Sequence, residues 1–198
     1  SQIQEEIGFT FATGLRHILR QDPDIIMVGE IRDRETANLA THASLTGHLV
    51  FSTLHTNDSI GVIPRLIDLG VEKYLIAPTL NLAMAQRLLR RLCPACKVKS
   101  KPSSAEEKII TETISQMSED VRKGLPKSLV SYKASENGCS ECNGKAYKGR
   151  IAIFEVFEVT SKIQELIVKL ATSDEIQKTA EAEGMMTMLA DGFIKAAQ

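Results

Sequence analysis

The sequence contains no tryptophan, and aromatic residues fill only 5% of its 198 positions. The stacking platforms that hold single-stranded nucleic acids are therefore not expected. Neither charge is in excess: 24 Lys and Arg stand against 25 Asp and Glu, a formal net charge of -1. That balance lacks the basic footprint of a nucleic-acid-binding domain, so no nucleic-acid partner is expected. No apolar run approaches the roughly 20 residues that cross a bilayer, so no membrane insertion is expected either. No signal peptide opens the chain. The first residue is Ser1 rather than Met, inside polar, strand-like text, which reads as a piece cut from a longer protein.

What is present is an ordinary globular composition, 43% hydrophobic and 25% charged. Phe9 to Arg20 reads as a helix, with Phe11, Leu15, Ile18 and Leu19 at helical spacing and Thr10 as N-cap. Asp22-Pro23-Asp24 breaks it. The run Ile25-Ile26-Met27-Val28 suits a short strand buried on both faces, as in parallel sheets. Arg34 to Leu45 reads as a helix stopped by Gly47, and His48 to His55 as a second strand. Asp58 to Leu69 and Lys73 to Leu92 read as two further helices. This alternation argues for an α/β layered domain with a parallel sheet. Composition shifts at Cys93. A helix is expected around Ala105 to Ile110, and a strand over Gly149 to Val159. The tail from Ser161 to Ala197 reads as a small helical bundle with Gly184 as a helix stop.

Glu30 stands at the end of the first apolar strand. Ligands of open α/β sheets sit at the carboxyl ends of strands. An acidic group held there can polarise a water or help organise Mg²⁺ beside a terminal phosphate. A solvated strand-end carboxylate fits the same six residues.

The four cysteines form two C-x-x-C pairs, Cys93/Cys96 and Cys139/Cys142, separated by 42 residues. Four thiolates at such spacing fit tetrahedral Zn²⁺. The gap exceeds the roughly 15 to 20 residues of a compact zinc ribbon, and an inserted helix near Ala105 to Val121 accounts for the excess. Without an open coordination position the site reads as structural. Free thiols and disulfides are the alternatives.

Longer stretches are more specific. Leu19-Arg20-Gln21-Asp22-Pro23-Asp24-Ile25-Ile26-Met27-Val28-Gly29-Glu30-Ile31-Arg32-Asp33 and Ser44-Leu45-Thr46-Gly47-His48-Leu49-Val50-Phe51-Ser52-Thr53-Leu54-His55-Thr56-Asn57 closely resemble the type II/type IV secretion ATPase superfamily, in its GspE/PilB branch. The first matches the Walker B box and the second the histidine box. The resemblance continues through Gln86 to Cys96, Cys139 to Gly144, Tyr147 to Arg150 and Glu183-Gly184-Met185. It supports the tetracysteine site as well, although some pilus motors lack one.

The resemblance implies roles. Glu30 would be the catalytic or water-polarising carboxylate. His48 and His55, seven apart on a strand of period two, would lie on opposite faces and do different jobs. His55, at the carboxyl end, would sense the γ-phosphate, while His48 is open to a structural reading. Arg16, Arg20, Arg32 and Arg65 match arginines around the family's shared nucleotide site, where a guanidinium binds phosphate bidentately. Solvated charges and salt bridges are the alternative for each. His17 and His42 carry no motif and read as surface residues. One departure is plain: no G-x-x-x-x-G-K-[ST] occurs, and the family's Walker A loop would precede Ser1. The chain alone is therefore expected not to hydrolyse ATP.

The expected architecture is α/β: a partial RecA-like parallel-sheet core over residues 1–92, a tetracysteine zinc module with a helical insertion over 93–150, and a helical C-terminal domain over 151–198. The resemblance implies a motor ATPase that is a homo-hexamer, uses ATP and Mg²⁺ with structural Zn²⁺, and drives type II secretion pseudopilus or type IV pilus assembly. Its partners would be an inner-membrane platform protein and the secretion or pilus machinery, placing it in the cytoplasm, peripheral at the inner membrane. The competing reading is a non-catalytic zinc-binding interaction module.

Overall fold

A computed structural model describes residues 10–117, 119–124 and 131–197. The chain divides into two compact units, residues 1–83 with 157–180 and residues 84–156 with 181–198.

The first unit begins with α1 (Phe11–Leu19), which starts at the expected cap: the Thr10 hydroxyl accepts a hydrogen bond from the Thr13 amide at 3.2 Å. The proposed start at Phe9 lies outside the described residues. Ala12 and Leu15 carry the buried face. β1 (Ile25–Val28) and β2 (Leu49–Ser52) pair in parallel, Ile25 opposite Leu49 through Val28 opposite Ser52. α2 (Arg34–Leu45) connects them, with the bounds its periodicity predicts. A parallel pair requires such a crossover, and α2 buries Thr36, Ala37, Ala40, Thr41 and Ala43.

The expected burial of β1 on both faces is corrected. Ile26 and Val28 are 2% and 5% exposed, but Ile25 and Met27 are 62% and 66% exposed. An all-apolar tetrapeptide suits either environment, and burial follows whatever packs on each face.

α3 (Val62–Asp68) and α4 (Lys73–Thr79) follow. The turn between them contains Gly70 at φ +81°, with the Arg34 side chain lying over it. The helix expected over Lys73 to Leu92 is also corrected. It stops at Thr79, Leu80 turns to extended geometry, and Leu82–Leu92 is a strand, β3. Leu, Ala and Arg favour helix locally, but pairing with β6 (Tyr147–Glu158) overrides that preference. Ala83 and Ala85 point inward while Leu82 and Met84 are exposed, the alternation of a strand.

The tail is helical: α7 (Ser161–Lys169), α8 (Ser173–Ala182) and α9 (Met188–Ala197). Gly184 follows α8 at φ +104°, as a helix stop requires. α7 packs on α4 in the first unit, burying Ile163 and Ile167, while α9 packs on α5 (Ser104–Gln116) in the second.

In the second unit α5 opens with a reciprocal capping box between Ser103 and Glu106, and α6 (Glu119–Gly124) follows. β4 (Val98–Ser100) pairs antiparallel with β5 (Ser131–Lys133). α9 is tied to β6 by polar contacts. The Lys195 ammonium donates to the Ala152 carbonyl at 2.9 Å, and Asp191 accepts from the Phe154 amide at 2.8 Å. Among the described residues no helix is long and apolar enough to cross a membrane.

Candidate nucleotide and metal sites

β1 ends at Val28, and Gly29 carries the chain to Glu30. The Glu30 carboxylate accepts from Arg32 Nε at 2.6 Å and from His55 Nε2 at 3.3 Å, both on Oε2. The Arg32 guanidinium holds the Glu30 carboxyl below its ordinary pKa; desolvation opposes it, and His55 adds to the lowering. Glu30 is therefore an ionised acceptor near neutral pH. Among the described residues no hydrogen bond or ion pair reaches its second oxygen. His55 is 79% exposed, so its ring faces solvent on the far side of this contact.

Backbone geometry supports the same point. The Ile31 amide donates to the Thr53 carbonyl at 3.0 Å, and the Thr53 hydroxyl donates to the Gly29 carbonyl at 2.8 Å. Asp33 closes the segment by capping α2, its carboxylate accepting from the Thr36 amide and hydroxyl at 2.8 and 2.9 Å. After β2, the Asp58 carboxylate accepts from the Gly61 amide at 2.7 Å and shapes the turn beyond His55.

His48 lies elsewhere. Its Nδ1 donates to the Ala43 carbonyl at 2.9 Å, at the C-terminal end of α2, and sits 3.1 Å from the Thr46 hydroxyl. From His48 to His55 exposure alternates residue by residue, with His48 half-buried and His55 exposed. Arg16 forms an ion pair with Glu35, joining α1 to α2. Arg32 pairs with Glu30. Arg20 is exposed and Arg65 half-buried, and among the described residues no hydrogen bond or ion pair joins either to Glu30.

The second unit brings Cys93, Cys96, Cys139 and Cys142 together, all four Sγ atoms within 4.8 Å of one another. Cys93 to Cys139, Cys96 to Cys142 and Cys139 to Cys142 measure 3.8, 3.9 and 3.8 Å. A tetrahedron with Zn–S bonds of about 2.3 Å has edges of about 3.8 Å, so the spacing fits a four-thiolate ion and not a disulfide. The β4–β5 pairing spans the 42-residue gap and returns the chain to the first pair. Amides of Cys139 and Ala146 donate to the Cys142 sulfur at 3.1 and 3.2 Å. Burial would push the Cys142 thiol up, but those donors, together with the neighbouring Cys139 and Cys96 thiols, outweigh it and bring it down to about 6, favouring thiolate. Ala146 adopts φ +59° and is pinned by the Cys93 amide, which donates to its carbonyl at 2.9 Å.

The family profile described as "Type II/IV secretion system protein" matches residues 1–198. The chain belongs to that family. Among the family's curated members, a "Type IV pilus assembly ATPase PilB" of Myxococcus xanthus is 43% identical over 98% of this chain. A "Type II secretion system ATPase E" of Vibrio cholerae is 46% identical over 92% of it. The chain spans 32% and 34% of those two relatives. Among solved structures, the ATPase DotB of Legionella pneumophila matches with TM-score 0.57 at 22% identity, over 94% of this chain and 38% of that one, a likeness of fold. The pilus retraction motor PilT with bound ADP matches with TM-score 0.50 at 25% identity, over 94% of this chain and 43% of that one.

In this secretion-family chain the structure adds residues that the sequence reading passes over. Asp33 caps α2 and Asp58 closes the turn before α3, and the signal for each is a carboxylate three residues before the amide it accepts from. Gly138, in the turn signal Asn137-Gly138, precedes the second cysteine pair at φ +63°. A Cβ there would stand 2.4 Å from the Gly144 carbonyl carbon. Neither backbone can yield without moving Cys139. Gly138→Ala is expected to weaken the affinity of the four-cysteine cluster for added Zn²⁺ about tenfold or more, the scale of outer-shell changes, as read by competition with a chromophoric chelator.

Proposed function

We propose that this chain is the C-terminal portion of a hexameric motor ATPase, which hydrolyses ATP with Mg²⁺ to power type II secretion pseudopilus or type IV pilus assembly. The carrying observation is the ionised Glu30 at the carboxyl end of a parallel strand, gripped by Arg32 and His55. Residues 1–92 would be part of a RecA-like core. Glu30 would orient or deprotonate the attacking water, and His55 would respond to the phosphate from the neighbouring histidine box. His48, bonded to the end of α2, would hold the turn into β2. Arg16, Arg20 and Arg65 would contribute to nucleotide or subunit contacts once the ring is assembled. The four cysteines would hold one structural Zn²⁺. The partners would be an inner-membrane platform protein and the assembly machinery, reached from the cytoplasm. Lacking any G-x-x-x-x-G-K-[ST] in its sequence, the chain alone would not hydrolyse ATP.

The full-length protein should release phosphate from ATP and sediment as a hexamer, while the 198-residue chain should not turn over. A full-length protein without ATP hydrolysis would end this reading.

Arg32 offers a pH test. A depressed carboxylate pKa keeps Glu30 charged to lower pH. The associated stability is present above the ordinary carboxylate pKa and is lost as pH falls through the lower folded value. Arg32→Ala lets the Glu30 pKa rise. In the full-length protein the acid limb of kcat against pH should therefore move to higher pH. An unmoved limb would detach Arg32 from Glu30 in catalysis.

A further inference from the structure

The geometry points to Thr53 as a positioning residue for Glu30, an inference that rests on the catalytic reading of that carboxylate. The ladder pairing of β1 with β2 ends at Val28 opposite Ser52. Beyond it the strands stay joined through one residue. Thr53 accepts from the Ile31 amide through its carbonyl at 3.0 Å and donates to the Gly29 carbonyl through its hydroxyl at 2.8 Å. Gly29 and Ile31 flank Glu30 on either side. The backbone at Glu30 is thus clasped from both neighbours by the single residue that follows β2.

The second bond is the informative one. The Ile31 bond uses main-chain atoms, which any residue at position 53 supplies. The Gly29 bond needs a hydroxyl. Gly29 has the loosest backbone in the segment, and an added Cβ there would make only ordinary contact with Phe11, 3.8 Å away. Without the hydroxyl its carbonyl would be free to turn and carry Glu30 with it. A displacement of about 1 Å in a reacting group can cost on the order of a hundredfold in rate, and a solvent-accessible tether should account for part of that.

The same arrangement couples the two motifs. Thr53 lies two residues before His55, which also contacts Glu30. A shift of β2 along its axis would reach Glu30 through both the backbone clasp and the imidazole. Thr53 touches neither substrate nor metal in this scheme; it acts through the placement of Glu30.

The test uses the full-length protein. Thr53→Val keeps the shape and the backbone bond but removes the hydroxyl. It should lower kcat about tenfold, leave KM for ATP and the binding of a fluorescent ATP analogue within about twofold, and leave the thermal midpoint nearly unchanged. Thr53→Ser, which retains the hydroxyl, should restore kcat to within about twofold of the parent. In a Glu30→Gln background, Thr53→Val should cost nothing further, because the group it positions is gone. The inference is overturned if Thr53→Val turns over at the parent rate, if Thr53→Ser is equally slow, or if the loss adds in full to that of Glu30→Gln. A fully active Glu30→Gln protein would overturn the catalytic reading of Glu30 and this inference with it. An inactive Glu30→Gln beside an unimpaired Thr53→Val overturns the positioning role alone.

Discussion

Glu30→Gln in the full-length protein is expected to lower kcat for ATP hydrolysis by about a hundredfold or more while nucleotide affinity stays within a few-fold. A positioned general base contributes about 10² to 10⁴ in rate, and an amide can neither take a proton nor offer a full negative charge. The shape of the side chain is kept, so its hydrogen-bonding space stays filled. The local structure should survive, because the Gly29 and Ile31 bonds to Thr53 and the Asp33 cap do not involve the carboxylate. Steady-state phosphate release and equilibrium binding of a nucleotide analogue separate the two effects. Parent-like turnover would remove Glu30 from the chemistry. A variant that loses nucleotide binding and rate together would assign Glu30 to the ground state.

If the four cysteines hold zinc, removing it should have the largest effect on stability. If zinc is bound at about a thousand times its dissociation constant, it contributes about 4 kcal/mol. For a chain of this size each kcal/mol moves the midpoint by roughly 2 to 4 °C. Extraction with a strong chelator, or Cys142→Ala, should therefore lower the thermal midpoint by about 8 to 16 °C. Cys142 is the informative choice because its sulfur accepts two amide donors and is buried. Calorimetry on metal-replete and stripped samples, with elemental analysis for one zinc per chain, measures this directly. A stripped protein that melts at the same temperature would leave the cluster as four free thiols.

Much of the first unit could be read from the chain, for identifiable reasons. α2 has Asp33 at its start, Gly47 beyond its end and small apolar residues at helical spacing, so local preference and tertiary structure agree. β1 was legible as a strand but not in its exposure, because four apolar residues say nothing about which face is covered. β3 was misread as helix for the opposite reason. Its Leu, Ala and Arg content favours helix, and its partner β6 begins 55 residues after it ends. No window short enough for periodicity analysis contains both strands. The sites divide in the same way. Cysteine pairs announce themselves by spacing, and β4–β5 pairing explains the long gap. The grip of Arg32 on Glu30 is nearly local. Thr53 and Gly138 were silent because their roles arise from what stands opposite them, a Gly29 carbonyl in one case and the Gly144 backbone in the other.

The interleaving of the two units has a consequence for synthesis. The first unit takes residues up to 83 and then resumes at 157, so neither unit is an uninterrupted stretch of polypeptide. Phe157, Ile163 and Ile167, at 0%, 0% and 1% exposure, are late residues buried in the unit that carries Glu30. On the ribosome, α4 must wait for the whole cysteine-bearing segment to emerge before α7 arrives to cover it. The unit that carries Glu30 is begun first and finished only after all four cysteines have been made, and the cysteine-bearing unit is completed last, by residues 181–198.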